Sequence, residues 1–244
     1  MKIKDLIKAY QPLKLSVSED MEVAGLSSDS KTVTSGDIFF ALPGEKRHGI
    51  EFAKEALSRG AIAVASDRET DSYPLILFED AYLGLSKWSA ALSKRPADKM
   101  NITGVTGTNG KTTVSSLIYE IISTKSPAGI IGTSGYRYPG IRGDFDMTTP
   151  RPYELHPLLA EMFSAGVKDV VMEVSSHSLE LKRVSEIPFS GAVFTNLTRD
   201  HLDFHKEMDI YYAAKLKLFS LMGENARRPI INTDDSYGKR ICMD

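Results

Sequence analysis

The sequence predicts an α/β protein built around mostly parallel sheets. Short apolar segments recur along the chain, and segments with the apolar spacing of helices separate them. Strands that alternate with helices in this way form parallel sheets whose two faces are both covered. Ligands of such sheets bind at the carboxyl ends of the strands, so we expect the functional residues there.

Length and composition exclude several classes of protein. The 244 residues are enough for one large or two modest domains. The hydrophobic fraction of 42% and the charged fraction of 25% exclude a disordered or collagen-like chain. A net charge of −2 argues against nucleic-acid binding, and the longest apolar run is too short to span a membrane. The single cysteine, Cys242, suits a reducing cytosol, so we expect a cytoplasmic protein. We also expect a monomer with no nucleic-acid or membrane partner.

The N-terminal part of the chain contains a series of predicted strands and helices. Residues 37–42 form an apolar segment that predicts a buried strand, which ends at Pro43. Two further strands are expected at 62–65 and 75–78. The predicted helices carry Phe52, Ala53, Ala56 and Leu57 before Gly60, and Leu85, Trp88 and Leu92 after a cap at Asp80.

A polar segment with a proline, 95–99, predicts a boundary between domains at 1–98 and 99–244. The second domain begins with a predicted strand at 102–106, a glycine-rich loop and a helix from about Lys111 to Ser123. The sequence stops inside a helix that has just begun, so we expect a fragment or a truncated chain. Further strands are expected at 130–131, 170–172, 192–194 and 230–231, and helices near 152–165 and 207–222.

The glycine-rich loop, GVTGTNGKTT at 104–113, predicts a phosphate-binding site. Its glycines let backbone N–H groups turn toward a polyphosphate, Lys111 supplies a positive charge, and the Thr112 hydroxyl can reach a magnesium ion. The spacing departs from the usual phosphate loop, because Gly104 lies too far from the Gly110–Lys111 pair and Gly107 too near. A surface lysine on an ordinary strand–turn–helix unit is the alternative, and it leaves the combination of glycines, lysine and threonines unexplained.

Carboxylate and imidazole side chains follow two of the predicted strands. Glu173 ends one strand, where it can hold magnesium directly or through water, although a strand-end glutamate is also common in any sheet. The segment 200–205, DHLDFH, follows another strand. It could suggest zinc, but no distant third cluster of cysteine or histidine supports that reading, so we prefer a hydrogen-bonding and magnesium-supporting role. The alternative is a polar loop that caps the next helix.

The sequence resembles the Mur ligases, the amide-forming enzymes of peptidoglycan precursor synthesis. VTGTNGKTT at 105–113 is similar to the ATP loop of that family, and EVSSH at 173–177 is most similar to the members that add the third amino acid. The resemblance covers nearly the whole chain. The other segments that agree, in the family's order, are SSDSK at 27–31, GDIFFAL at 36–42, TTP at 148–150, FTNLTRDHLDFH at 194–205 and YAAK at 212–215.

The resemblance implies a set of roles for residues of this chain. It implies an N-terminal domain that binds a UDP-N-acetylmuramoyl-dipeptide and a central, P-loop-like domain that binds ATP. It further implies that the central domain is incomplete here, and that a third domain, which selects the incoming amino acid in relatives, is absent. The ATP-binding residues would be Gly107, Thr108, Asn109, Gly110, Lys111, Thr112 and Thr113. The UDP-substrate would be bound by Ser28, Ser30, Glu45, Lys46, Arg47, Thr148, Thr149, Ser175 and Arg183.

The resemblance also implies the metal and catalytic residues. Mg²⁺ would be served by Thr112, Glu173, His201 and Lys215, the last of these carbamylated by carbon dioxide. Lys111, Glu173, His201 and Lys215 would be the catalytic set. Sequence chemistry alone does not separate Lys215 from Lys217, and a solvated helix lysine is the plain alternative. Carbamylation changes the charge of a lysine from positive to negative, which makes it an oxygen ligand for a hard cation.

The family resemblance implies an ATP-dependent ligase that adds diaminopimelate or lysine through an acyl phosphate. Related enzymes remain alternatives, namely the D-alanyl-D-alanine-adding ligase and folylpolyglutamate synthetase. The SSDSK and GDIFF segments disfavour the folate enzyme, and EVSSH disfavours the D-alanyl-D-alanine enzyme. A catalytically incompetent module that binds a nucleotide or a UDP-sugar is the alternative from another class. A simple P-loop NTPase is disfavoured by the glycine spacing.

Overall fold

The computed structural model describes residues 1–243, and for Leu202 the backbone only. It divides the chain into two compact units, Met1–Arg95 and Pro96–Asp244, of which Asp244 lies outside the described residues. The division between Arg95 and Pro96 falls inside the polar segment where the sequence predicts a boundary. Among the described residues, no helix combines the length and apolar character needed to cross a bilayer.

The first unit contains a five-stranded sheet with three α-helices. Neighbouring strands run parallel, except that β1 is antiparallel to β5. The strand order is β1-β5-β4-β3-β2. The elements are α1 (Ile3–Ile7), β1 (Lys14–Leu15), β2 (Gly25–Ser27), β3 (Asp37–Ala41), α2 (Ala53–Ser58), β4 (Ala63–Ser66), β5 (Leu75–Leu77) and α3 (Ala81–Leu92), with a 3₁₀ turn at Gly49–Phe52. A second 3₁₀ turn, Pro96–Lys99, begins the second unit.

Strand β3 is buried on both faces, as a central parallel strand must be. Phe39 packs in a cluster with Ala53 and Ala56 of α2 on one face. Phe40 contacts Trp88 of α3 edge to face, at 6.2 Å between ring centroids. Helix α3 begins where predicted, because the Asp80 carboxylate accepts a hydrogen bond from the backbone N–H of Leu83 at 2.9 Å.

The second unit contains a seven-stranded sheet in the order β12-β11-β6-β10-β7-β8-β9. The first five strands in that order are parallel, and β8 and β9 extend the sheet as an antiparallel pair. The elements are β6 (Asn101–Thr106), α4 (Lys111–Ser123), β7 (Ala128–Gly132), β8 (Gly135–Tyr138), β9 (Ile141–Gly143), α5 (Pro152–Ser164), β10 (Asp169–Glu173), α6 (Ser176–Glu180), β11 (Gly191–Phe194), α7 (Leu202–His205), α8 (Met208–Ser220), β12 (Ile230–Ile231) and α9 (Ser236–Ile241).

Alternate residues of β10 fill two different cores. Val170 and Met172 belong to the cluster that includes Leu155 of α5. Val171 belongs to the opposite cluster, which includes Tyr119 of α4. Because side chains alternate across a strand, the two clusters lie on opposite faces of the sheet. Helices therefore cover β10 on both faces. The prediction of an α/β fold with mostly parallel sheets is therefore confirmed.

Candidate functional site

The loop between β6 and α4 has a backbone path that only glycine permits at two positions. Gly107 and Gly110 have φ angles of 147° and 82°. A Cβ at Gly107 would lie 1.9 Å from the Thr195 hydroxyl oxygen, so no larger residue fits. The backbone N–H of Thr108 donates to Asn196 O at 2.9 Å, and this contact joins the loop to the end of β11. The loop is therefore held in shape before any ligand arrives.

Two lysines contact this loop from different helices. Lys111 Nζ donates to Gly107 O at 3.0 Å and to Thr108 O at 2.9 Å. Lys215 Nζ, on α8, also donates to Gly107 O, at 2.9 Å. Burial lowers the pKa of Lys111, and the charge of Glu173 partly opposes this shift. The remaining members of the predicted ATP loop are Asn109, which accepts from the Thr195 hydroxyl, and Thr112 and Thr113 in the first turn of α4.

Lys215 differs from its neighbour Lys217 in burial. Lys215 is 2% exposed, and its ammonium lies 4.6 Å from the centre of the Tyr211 ring. Burial, followed by the nearby charge of Lys111, lowers the pKa of Lys215 to about 7. Lys217 instead makes an exposed ion pair with Glu180 at 2.6 Å. The structure thus separates two lysines that the sequence could not, and a pKa of about 7 gives Lys215 a substantial neutral fraction near neutral pH.

Glu173 lies at the carboxyl end of β10 and is 1% exposed. Its Oε2 accepts from the Thr112 hydroxyl at 3.0 Å and from the Thr133 hydroxyl at 3.1 Å. Its Oε1 accepts from the backbone N–H of Thr133 at 3.0 Å. Thr133 is not predicted from the sequence, because it belongs to no motif and reaches Glu173 only through the pairing of β7 with β10.

The residues predicted to line the muramoyl-dipeptide site lie next to Glu173. The Thr149 hydroxyl donates to Glu173 O at 2.9 Å and accepts from the backbone N–H of Ser175 at 3.1 Å. Arg183 donates to Thr149 O at 3.1 Å. The hydroxyls of Thr148 and Thr133 are 3.1 Å apart. The structure therefore brings Thr148, Thr149, Ser175 and Arg183 together near the carboxyl end of β10.

His201 lies in a different environment from Glu173 and Thr112. Its imidazole contacts the Asp200 carboxylate at 3.5 Å and the rings of His177 and Tyr211 at 5.0 and 6.1 Å between centroids. Its φ angle of 51° places a non-glycine residue in the left-handed region, a conformation that costs about 1–3 kcal/mol and is often found at functional sites. Across residues 1–243, no group of three or more Asp, Glu, His or Cys side chains is placed to hold a metal ion by itself.

A second histidine, His205, joins α7 to the start of α6. Its Nε2 and the Ser176 hydroxyl are 2.8 Å apart, and its ring stacks on Tyr211 at 4.8 Å between centroids. Burial, with a contribution from the charge of His177, lowers the pKa of His205 to about 4. His205 is therefore neutral at pH 7, which suits a structural hydrogen bond between the two helices.

In the first unit, the residues predicted to bind the UDP-substrate follow the ends of two neighbouring strands. Ser28 and Ser30 follow β2, and the loop with Glu45, Lys46 and Arg47 follows β3. Because β2 and β3 are parallel, both segments leave the same edge of the sheet. Ser30 is buried, and its hydroxyl donates to Glu55 Oε2 at 2.7 Å. Glu45, Lys46 and Arg47 are exposed.

Comparisons with known proteins relate both units to the same family. The family model described as "Mur ligase middle domain" matches residues 105–243, and the one described as "Mur ligase family, catalytic domain" matches residues 22–83. A UDP-N-acetylmuramoyl-L-alanyl-D-glutamate–2,6-diaminopimelate ligase of Geobacter sulfurreducens is 41% identical over 250 residues, which cover 99% of this chain and 49% of the relative. The ligase of the same name from Gloeobacter violaceus is 42% identical over 227 residues, which cover 91% of this chain and 46% of the relative.

A solved structure of a ligase with the same name superimposes with a TM-score of 0.82 at 28% identity. The match covers 100% of this chain and 50% of that protein. The chain therefore spans about half the length of the relatives that it matches.

Proposed function

Because the chain belongs to the Mur ligase family, we propose that its protein is an ATP-dependent amide ligase of peptidoglycan precursor synthesis. The substrate would be UDP-N-acetylmuramoyl-L-alanyl-D-glutamate, to which the enzyme adds the third amino acid. The relatives are named as 2,6-diaminopimelate ligases, so diaminopimelate is the first amino acid to test and lysine the alternative. The observation that carries the proposal is the contact between Thr112 and Glu173, 3.0 Å apart beside a glycine-rich loop.

The reaction would proceed in two steps. A carboxylate oxygen of the D-glutamyl side chain attacks the γ-phosphorus of ATP, and the bond to the β-phosphate oxygen breaks to give an acyl phosphate and ADP. The amine of the incoming amino acid then attacks the acyl carbon, and the tetrahedral intermediate collapses to an amide and phosphate. Positioning and charge neutralisation supply most of the rate in such phosphoryl transfers.

The loop at 107–113 would hold the phosphates of ATP. Lys111 donates to loop carbonyls in the free protein, so it would exchange these contacts for phosphate oxygens when ATP binds. The amino end of α4 points its backbone N–H groups at the same place, which adds a favourable dipole for an anion. Gly107, Thr108, Asn109, Gly110 and Thr113 would contribute through their backbone and short side chains.

The oxygen atoms near Glu173 fit a hard divalent cation such as Mg²⁺. The Thr112 hydroxyl and the Glu173 carboxylate are close enough to share an ion, and phosphate oxygens and water would complete its shell. When bound, Mg²⁺ would neutralise charge on the transferred phosphate. We propose that Thr112, Glu173, His201 and a carbamylated Lys215 serve the metal sites.

Lys215 has the properties that carbamylation requires. Near neutral pH part of its population is the free amine, whose lone pair can attack carbon dioxide. Conversion of the ammonium to the carbamate forms one N–C bond and releases two protons. The charge of the side chain therefore changes from +1 to −1. The carbamate oxygens would then face Lys111, since both lysines contact Gly107 O.

Two sets of residues, one in each unit, would bind parts of the substrate. Thr148, Thr149, Ser175 and Arg183 would bind the muramoyl-dipeptide, because hydrogen bonds bring them together near the carboxyl end of β10. Ser28 and Ser30, with Glu45, Lys46 and Arg47, would bind the UDP part, since they leave the same edge of the first sheet.

The test of this function uses the protein made from the complete reading frame that contains this chain. Incubation with ATP, magnesium, UDP-N-acetylmuramoyl-L-alanyl-D-glutamate and either diaminopimelate or lysine should give the UDP-tripeptide, with one ADP per amide. Added hydroxylamine should trap the acyl phosphate as a hydroxamate, detected by mass spectrometry. A protein that binds neither ATP nor the UDP-substrate, or that releases ADP without forming a new amide, would contradict the proposal.

A further inference from the structure

The loop at 43–48, here called the charged loop, is held at its base. Pro43 and His48 form an antiparallel bridge, so the loop closes on itself. The Tyr82 hydroxyl, on α3, donates to Pro43 O. A Cβ at Gly49 would come within 2.7 Å of the backbone that ends β3, which shows how closely the chain passes itself at this point. These contacts fix where the charged loop begins and ends.

His48 connects the base of the charged loop to Asp67. His48 is 6% exposed, and its Nδ1 accepts a hydrogen bond from the backbone N–H of Ile50 at 3.1 Å. In the neutral ring the proton must then reside on Nε2, which donates to Asp67 Oδ1 at 2.8 Å. Asp67 directly follows β4, so the pair connects the end of the charged loop to the end of a neighbouring strand.

The tip of the charged loop has no such contacts. Across the part of the chain that the structure describes, no hydrogen bond or ion pair joins the side chains of Glu45, Lys46 or Arg47 to another residue. Two cations and one anion thus stand exposed on a loop whose base is fixed. A backbone that is ordered before binding lowers the entropy cost of association, which favours recognition of a charged ligand.

We propose that His48 and Asp67 are positioning residues for binding of the UDP-substrate. Through the hydrogen bonds to Ile50 and Asp67, His48 would hold the charged loop in the conformation in which Lys46 and Arg47 meet the diphosphate. Neither His48 nor Asp67 needs to touch the ligand. This inference rests on the proposed function, since it assumes that the charged loop binds the UDP part of the substrate.

Calorimetric titration of the ligand-free protein, made from the complete reading frame, with UDP-N-acetylmuramoyl-L-alanyl-D-glutamate tests the inference. His48→Ala and Asp67→Ala should each weaken binding about tenfold or more. The double variant should be no weaker than the single variants, because both substitutions break the same contact. The affinity for magnesium-ATP should stay unchanged in all three variants, since the glycine-rich loop belongs to the other unit.

Conservative substitutions distinguish positioning from a general loss of stability. Asp67→Asn keeps an oxygen that can accept from His48 Nε2, so it should bind within a few-fold of wild type. His48→Asn keeps an acceptor for the Ile50 N–H at the start of the 3₁₀ turn but is too short to reach Asp67. It should recover most of the stability lost in His48→Ala while its binding remains weak. Glu69→Gln, which breaks only an exposed ion pair with Lys14, is the matched control and should bind normally.

Hydrogen exchange on the ligand-free variants completes the test. The amides of Gly49 and Ile50 should exchange faster in His48→Ala and Asp67→Ala than in wild type or Glu69→Gln. Unchanged exchange, or substrate binding as tight as wild type in both alanine variants, would overturn the inference and leave the proposed function standing. Additive losses in the double variant would also overturn it. If the wild-type protein made from the complete reading frame binds no UDP-substrate, the proposed function is overturned, and this inference with it.

Discussion

Lys111 and Lys215 donate to the same carbonyl oxygen, that of Gly107, at 3.0 and 2.9 Å. Two ammonium groups that share one acceptor repel each other, and this repulsion adds to burial in lowering the pKa of Lys215. The repulsion decreases if one of the two charges is lost or if an anion enters the loop. Carbamylation of Lys215 and binding of the ATP phosphates would each have this effect, so the repulsion would favour both events.

The first prediction concerns Lys111. Lys111→Ala removes the positive charge that would face the phosphates and leaves the glycine backbone intact. We expect magnesium-ATP binding to weaken about 10- to 100-fold, which corresponds to the loss of about 1.5–3 kcal/mol from hydrogen bonds to a charged group. Calorimetric titration measures this. Lys125→Ala, beyond the other end of α4, is the control, and equal affinities for Lys111→Ala and wild type would rule out the assignment.

The second prediction concerns the pH dependence of stability that Lys215 causes. Its pKa is about 7 in the folded protein, against 10.5 for an ordinary lysine, so between these values the unfolded chain binds a proton that the folded chain does not. Stability should therefore rise with pH across this window and be lost as the pH falls toward 7. One proton gives a slope of at most about 1.4 kcal/mol per pH unit.

Urea unfolding in buffers free of carbon dioxide measures this slope. Lys215→Met, which cannot titrate, should have a flatter profile than wild type between about pH 7 and 9. Lys217→Met removes an exposed, paired lysine and should leave the wild-type slope unchanged. Parallel profiles for Lys215→Met and wild type would show that the Lys215 amine titrates normally.

The third prediction concerns Ser30. Ser30→Ala removes a buried hydroxyl at the edge of the first sheet, and we expect binding of the UDP-substrate to weaken about 5- to 10-fold as one hydrogen bond of about 1 kcal/mol or more is lost. Ser58→Ala is a matched control on α2, because its exposed hydroxyl donates only to Glu55 O. Saturation-transfer NMR and titration compare the two variants. If both bind alike, Ser30 does not contact the substrate.

The fourth prediction concerns the end of α3. Lys94 has a φ angle of 60°, and the backbone N–H groups of Lys94 and Arg95 donate to Ala91 O and Ala90 O, as in a Schellman motif. A side chain costs about 1–2 kcal/mol in this conformation, more than the chain entropy of about 0.5–1 kcal/mol that glycine loses. Lys94→Gly should therefore raise the free energy of unfolding by roughly 0.5–1 kcal/mol. Chemical denaturation would reveal a loss of stability if this is wrong.

The sequence predicts the elements around the glycine-rich loop well and the edges of the sheets poorly. Helix α4 runs from Lys111 to Ser123 as predicted, because a loop of special glycines precedes it and apolar residues recur along it. The hairpin of β8 and β9 was not predicted, since its short strands are largely polar and half exposed. Strands β1 and β2 are also too short to give a periodic signal.

In the candidate site, the sequence predicts roles that depend on sequence neighbours and does not predict contacts between distant residues. The roles of Lys111 and Thr112 follow from neighbours in sequence, and the sequence therefore suggests them. Thr133 could not be found in this way, because its contact with Glu173 spans 40 residues and depends on strand pairing. The burial that distinguishes Lys215 from Lys217 likewise depends on how α8 packs on β6, which no local pattern encodes.

Gly132 gives the Glu173 carboxylate the space that it occupies. A Cβ at this position would lie 2.2 Å from Glu173 Oε1, although the backbone at Gly132 is one that alanine can adopt. A single methyl group could thus displace the carboxylate while leaving every polar group of the site in the sequence. Gly132→Ala would therefore separate the position of the Glu173 carboxylate from its chemistry.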